Sequence, residues 1–253
     1  MIKRGRSGQA TIFIIIALII VAVVMAIFIY PKIRGGGKID ATQNPQTYLE
    51  SCLKAPLENS IKKLGATGGD TTDSAFIMFN GTKVRYLCYT SEYYKTCVIQ
   101  EPLVKEKFEQ SIAKAINADT EKCVNNLVNE YEKQGWKSSV SAVSSDVNID
   151  LDSVKIIINA PMTLTKDVSK TYNTFSVSIP SKIYEVLYLS SNIVQFEAAY
   201  GDSETTLYLL YYPNINIYKN VLGDGSVIYR VENDITKEKF TFASRSLVSN
   251  PGL

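Results

Sequence analysis

Not one histidine occurs among the 253 residues. Histidine is the usual general base of Ser and Cys nucleophiles and the commonest neutral metal ligand, so those hydrolase arrangements and most metal sites are excluded. Cysteine is scarce too: there are four, and none forms the CxxC element of a zinc knuckle. GxSxG, HExxH and P-loop patterns are missing. Gly223-Asp224-Gly225 lacks the glycine spacing of a dinucleotide loop and reads as a turn. Asp146, Asp150 and Asp152 lack the glycine-centred geometry of a calcium loop and read as the solvated face of a strand. These absences nominate no catalytic residue, no metal ligand and no cofactor, so the expectation is a protein that is not an enzyme. Positive charge is also short where a polyanion would need it. Residues 39–253 hold 21 basic and 25 acidic side chains, a net of −4, and carry no nucleic-acid footprint.

What the chain does have is one long apolar run. From Ile12 to Phe28 it is built from Ile, Val, Ala, Leu, Met and Phe without a charge. At about 1.5 Å per residue, about twenty such residues cross a hydrocarbon core of roughly 30 Å. The expectation is a transmembrane helix over 11–31, behind a basic cytoplasmic leader (1–10) and ahead of a Gly-rich linker (32–43). No small-x-small cleavage site follows the run, so it reads as a retained anchor in the cell membrane, single-pass, in contact with membrane lipid. Lys3, Arg4 and Arg6 precede the run and Lys32, Arg34 and Lys38 follow it, so charge does not choose the orientation. The cysteines bear on it. Cys88 and Cys97 enclose Tyr89 to Thr96, a spacing that suits a disulfide across a β-hairpin, which needs an oxidising compartment. Cys52 and Cys123, each on a predicted helix, could staple one helix to the other. Four cysteines allow three connectivities, and four buried free thiols are the alternative. Read with the disulfides, the C-terminal mass is extracytoplasmic. Asn80-Gly81-Thr82 matches an N-glycosylation acceptor and equally a tight type I′ turn.

Along the chain, Asn44-Pro45 predicts a helix start, and Tyr48, Leu49, Cys52, Leu53, Leu57, Ile61 and Leu64 recur at helical spacing up to Gly65, with a kink at Pro56. Ala75–Phe79 and Lys83–Tyr89 read as strands about the Asn80-Gly81 turn, with Thr96–Ile99 beside them. Two helices follow, one carrying Leu103, Phe108, Ile112, Ala115 and Ile116, the next capped by Asp119, carrying Cys123, Leu127, Val128 and Tyr131 and stopped at Gly135. From Lys137 the β-branched and tyrosine-rich texture predicts strands at 147–152, 155–159, 162–165 and 172–179. A helix over 182–199 should pack on a sheet, and 205–212 suits helix or strand. Strands at 215–221 and 226–231 flank the Gly223-Asp224-Gly225 turn, and 239–243 closes the chain. The predicted fold class is α+β: a transmembrane helix, a helical part with a disulfide hairpin (44–136), and a mostly antiparallel β-rich head with one packed helix (137–253). Sixteen tyrosines, clustered at 86, 89, 93, 94 and again at 208, 211, 212, 218, suit an interaction surface or half-buried strand positions.

Arg6-Ser7-Gly8-Gln9-Ala10-Thr11 ahead of the apolar run resembles the class III signal of archaeal type IV pilin-like proteins. The resemblance implies that a prepilin-type peptidase cuts after Gly8, leaves Gln9 as the new N-terminus, and that copies associate as a homo-oligomer through residues 11–30. Where many such pilins carry Glu this chain has Phe13, so the family's carboxylate–amine pairing between subunits is not implied. A looser likeness, in Tyr48-Leu49-Glu50-Ser51-Cys52-Leu53, Gly68-Gly69, Cys123 and Phe240-Thr241-Phe242-Ala243, is to uncharacterised single-span surface proteins of small-genome archaea. It implies the Cys52–Cys123 pairing. The functional expectation is a membrane-anchored structural or adhesion protein with pilin-like biogenesis, a filament or surface-assembly subunit. The alternative is a non-polymerising surface module that binds a carbohydrate or an envelope protein.

Overall fold

A computed structural model describes residues 15–21, 23, 44–69 and 75–248, in a chain that divides into Met1–Asp40 and Ala41–Leu253. In the first unit residues 15–21 and 23 are helical and exposed. Among the described residues no helix is long and apolar enough to cross a membrane. This corrects the expected transmembrane helix over 11–31, and with it the single-pass membrane localisation and extracytoplasmic head. The rest of 11–31, the leader 1–10 and the linker 32–43 lie outside the described residues. The fold class is α+β with one mixed and one antiparallel sheet.

The second unit opens with α1 (Pro45–Gly65). Asn44 caps it, its side-chain oxygen accepting from the Thr47 N–H at 3.1 Å, and Pro45 at the first helical position gives up no hydrogen bond. Leu49, Leu53, Leu57, Ile61 and Leu64 form its buried stripe, each Leu contributing about 2 kcal/mol of apolar burial. The helix continues across Pro56.

Strands β1 (Phe76–Phe79), β2 (Thr82–Tyr89) and β3 (Val98–Ile99) lead into α2 (Val104–Lys133). The two helices expected here are one. Asp119 is not a cap, because Phe108, Ile112, Ile116, Thr120, Cys123, Leu127 and Tyr131 keep one buried stripe in register throughout. Thr120 satisfies its hydroxyl by donating to the Ile116 carbonyl at 3.0 Å.

β4 (Lys137–Val140), β5 (Ser144–Ile149), β6 (Ser153–Thr165) and β7 (Ser169–Pro180) form the antiparallel sheet. The strand expected over 147–152 ends at Ile149. Asp150 to Asp152 turn instead, with the Asp150 N–H donating to the Ser153 carbonyl. The strands expected at 155–159 and 162–165 are one strand, β6. Pro161, which cannot donate to the ladder, sits where the β6–β7 register shifts. Val154, Ile156, Ile158, Ala160, Met162 and Leu164 alternate onto the buried face of β6.

α3 (Ile183–Tyr200) and the short α4 (Thr206–Tyr211) precede β8 (Ile215–Val221), β9 (Ser226–Asn233) and β10 (Lys239–Arg245). The mixed sheet runs β1-β2-β10-β9-β8, with β3 beside β2 and with β10 parallel to β2. That ladder crosses the boundary at 136/137 between the two expected parts. So does the main hydrophobic core, which draws on α1, α2, α3 and both sheets. α1 reaches β10 closely at Gly65, where a Cβ would meet the Lys239 carbonyl oxygen at 2.1 Å.

Candidate ligand-binding groove

The register of the mixed sheet sorts its side chains between two faces. Val227, Tyr229, Val231, Phe240 and Phe242 join the main core. Next to them in sequence, Ile228 and Ala243 combine with Val84 and Tyr86 in a second, separate cluster, flanked by Ile77, Phe79, Tyr89 and Leu222. This outer cluster is made only of strand and turn residues, so the face has a small apolar floor of its own.

Over that floor lies a groove of about 740 Å³ between the β1–β2 hairpin and strands β8, β9 and β10. Tyr218 and Arg230 are cross-strand partners, and the guanidinium carbon stands 4.0 Å from the ring centroid. Such a stack fixes the guanidinium plane. Arg230 also approaches Glu232, Nε to Oε2 at 3.7 Å, a loose, part-exposed contact of about 0–1 kcal/mol. Its Nε, buried, makes no hydrogen bond among the described residues. Lys239 lies on the neighbouring strand, opposite Glu232. Asn80, Thr82, Asn220 and Thr241 complete the polar rim. Lys219 contributes to the wall, but its ammonium points to the other side of the sheet, where it pairs with Asp202 and lies 5.8 Å over the Tyr229 ring. Among the described residues the lining includes no carboxylate. At the far end of the face Arg245 covers Tyr89 and donates to the Asp224 and Thr90 carbonyls, so its charge is spent internally.

A second recess of about 480 Å³ is lined by Glu58, Ile61, Lys62, Pro180, Thr236, Lys237, Glu238 and Lys239, the last shared with the groove. Its central carboxylate has a structural task. Glu238 accepts from Ser181 Oγ, the Lys182 N–H and Thr236 Oγ1, which caps α3 from outside.

The most perturbed acid is elsewhere and is sealed. Glu197, on the core side of α3, is fully buried. It accepts from the Tyr229 hydroxyl and, at 2.9 Å, from Ser244 Oγ, which lies 3.5 Å from the Cys97 sulfur. Burial pushes the Glu197 carboxyl above the usual carboxylate range. Burial, followed by the Glu197 charge, pushes the Tyr229 phenol up as well. All three side chains are buried, and the trio ties α3 to β9 and β10.

Disulfides join Cys52 to Cys123, tying α1 to α2, and Cys88 to Cys97, tying β2 to the residue before β3. Asn80 is exposed at the turn, where Asn80 and Gly81 both take positive φ, as a type I′ turn requires. Gly8 and Gln9, the junction assigned to a prepilin-type peptidase, lie outside the described residues, as does most of 11–30. Among the described residues no three His, Cys, Asp or Glu side chains converge as a metal site. Of the tyrosines, Tyr86 is buried and Tyr218 lines the groove, whereas Tyr94 and Tyr211 are free surface. Arg230 and Lys239 carry no sequence signal of their own, since their proximity depends on strand order. Glu197 does carry one: an acid four residues after Ile193 in an apolar stripe. No protein-family profile, curated protein or solved structure matches the chain.

Proposed function

We propose that residues 41–253 act as a non-polymerising, non-catalytic binding module, with the ligand seated in the groove on the outer face of the mixed sheet. The observation that carries this reading is the groove's composition: an apolar floor, a guanidinium clamped on a tyrosine ring, an ammonium and four unspent polar side chains. Sites for small or chain-like ligands combine apolar walls with a few placed polar groups in this size range. The perturbed acid Glu197 is buried away from the groove, so it supports a structural role for the network rather than acid–base chemistry at the ligand. On this reading the carbohydrate or protein ligand sits in the groove.

The test is a ligand screen of the full chain on glycan and peptide arrays, run against an Asn220→Trp variant. Asn220 is exposed at the groove edge, so an indole there fills the groove without touching the core. Ligands captured by the native chain should be lost from the variant at unchanged thermal stability. A ligand retained by the filled variant contradicts the reading.

A further inference from the structure

Resting on that proposed function, we infer that the groove takes a carboxylate-bearing oligosaccharide, a chain of sugar units with acid groups. Three features of the groove argue for it together.

The first is charge. Although residues 39–253 as a whole are net negative, the described lining of the groove holds Arg230 and Lys239 and no carboxylate; Glu232 beside them, 3.7 Å from Arg230 Nε and the ladder partner of Lys239, leaves one net positive charge there. The cationic character is therefore local. It suits a few acid groups better than a polyphosphate, whose binding would need a broad basic face. The second is the geometry of the cation. The Arg230 guanidinium fork lies over the Tyr218 ring, and its buried Nε has no hydrogen-bond partner among the described residues. A planar carboxylate is the ligand group that matches such a fork with two parallel bonds. Lys239, diagonal to Arg230 across the β9–β10 pair, reaches the same or the next acid group as a point charge.

The third feature is hydrogen-bonding capacity. Asn80, Thr82, Asn220 and Thr241 surround the groove, and none of their side chains bonds to another described residue. Two carboxamides and two hydroxyls offer both donors and acceptors, the combination that a ligand dense in hydroxyl groups satisfies. The apolar floor of Val84, Ile228 and Ala243 suits the C–H face of a sugar ring.

Calorimetric titration of the full chain with trimers of galacturonate, glucuronate and mannuronate tests the inference. The neutral galactose trimer and oligoglutamate serve as comparisons. At least one uronate trimer should bind, with affinity falling as salt rises, and about tenfold or more above its neutral counterpart, as loss of a charge-assisted pair implies. Arg230→Gln should abolish that preference and Arg230→Lys should restore only part of it, because the charge returns without the fork. Lys166→Gln, at the end of the other sheet, should change nothing. If the neutral trimer binds as well as the acid one, and both are lost from Asn220→Trp, the groove stands and the carboxylate inference falls. Oligoglutamate binding as tightly as any uronate overturns the sugar in favour of an acidic peptide. Failure of every uronate to bind overturns the inference outright, while the array screen decides the groove separately.

Discussion

Glu197 sits in a helix stripe where Val186, Ile193 and Val194 are buried around it. An acid there costs desolvation, which the Tyr229 and Ser244 hydroxyls offset by donating to it. Because burial raises its folded-state pKa, the native protein binds this proton more tightly than the unfolded chain does. Its contribution to stability is therefore fully present below the ordinary carboxylate value and is lost as pH rises through the raised native value. Asp202 and Lys219 act on the same group with opposite signs, less strongly than burial. Urea unfolding of the native chain and of Glu197→Gln across that window should give curves that converge on the alkaline side and separate toward acid, the native chain gaining. Parallel curves would contradict the assignment. Glu197→Ala strands two buried hydroxyl donors and should cost about 2–4 kcal/mol at neutral pH.

At the scale of elements, the staple between α1 and α2 closes a separation of 71 residues, and that between β2 and β3 only 9. Loop-closure entropy assigns about 4 kcal/mol to the first and about 2.5 kcal/mol to the second. Replacing Cys52 and Cys123 together by Ala should thus lower unfolding stability more than replacing Cys88 and Cys97, as read from denaturant midpoints at constant slope. The opposite order would show that the hairpin bridge holds the sheet against α3 by more than chain entropy. The same elements show where sequence is and is not legible. α1 announces itself through Asn44-Pro45 and an i, i+4 leucine stripe, both local signals. α2 reads as two helices because Asp119 resembles a cap. Only a partner surface under Phe108 to Tyr131 carries the helix through it. Pro161 likewise suggests a strand end, yet β6 absorbs it where its pairing with β7 slips. Local chemistry marks each hesitation, and tertiary packing decides it.

Over the whole molecule, the decisive fact is a pairing that no local pattern encodes. β2 and β10 lie side by side in parallel, with Ala243 opposite Tyr86. The hairpin Asn80-Gly81 and the turn Gly223-Asp224-Gly225 are both readable in the sequence, but their arrival on one sheet is not. Asn80 and Tyr218 attract notice separately, as a turn residue and as one of a tyrosine cluster. Arg230 and Lys239 join them only once strand order is known. The groove is thus a product of topology. Its role as the ligand surface is tested most directly by mapping chemical shifts on the isotopically labelled full chain as a uronate trimer is added. The account predicts shifts confined to Thr82, Tyr218, Asn220, Arg230, Lys239 and Thr241 and their neighbours on the outer face. Shifts centred instead on the exposed residues of α3 and α4, such as Tyr200, Leu210 and Tyr211, would contradict it.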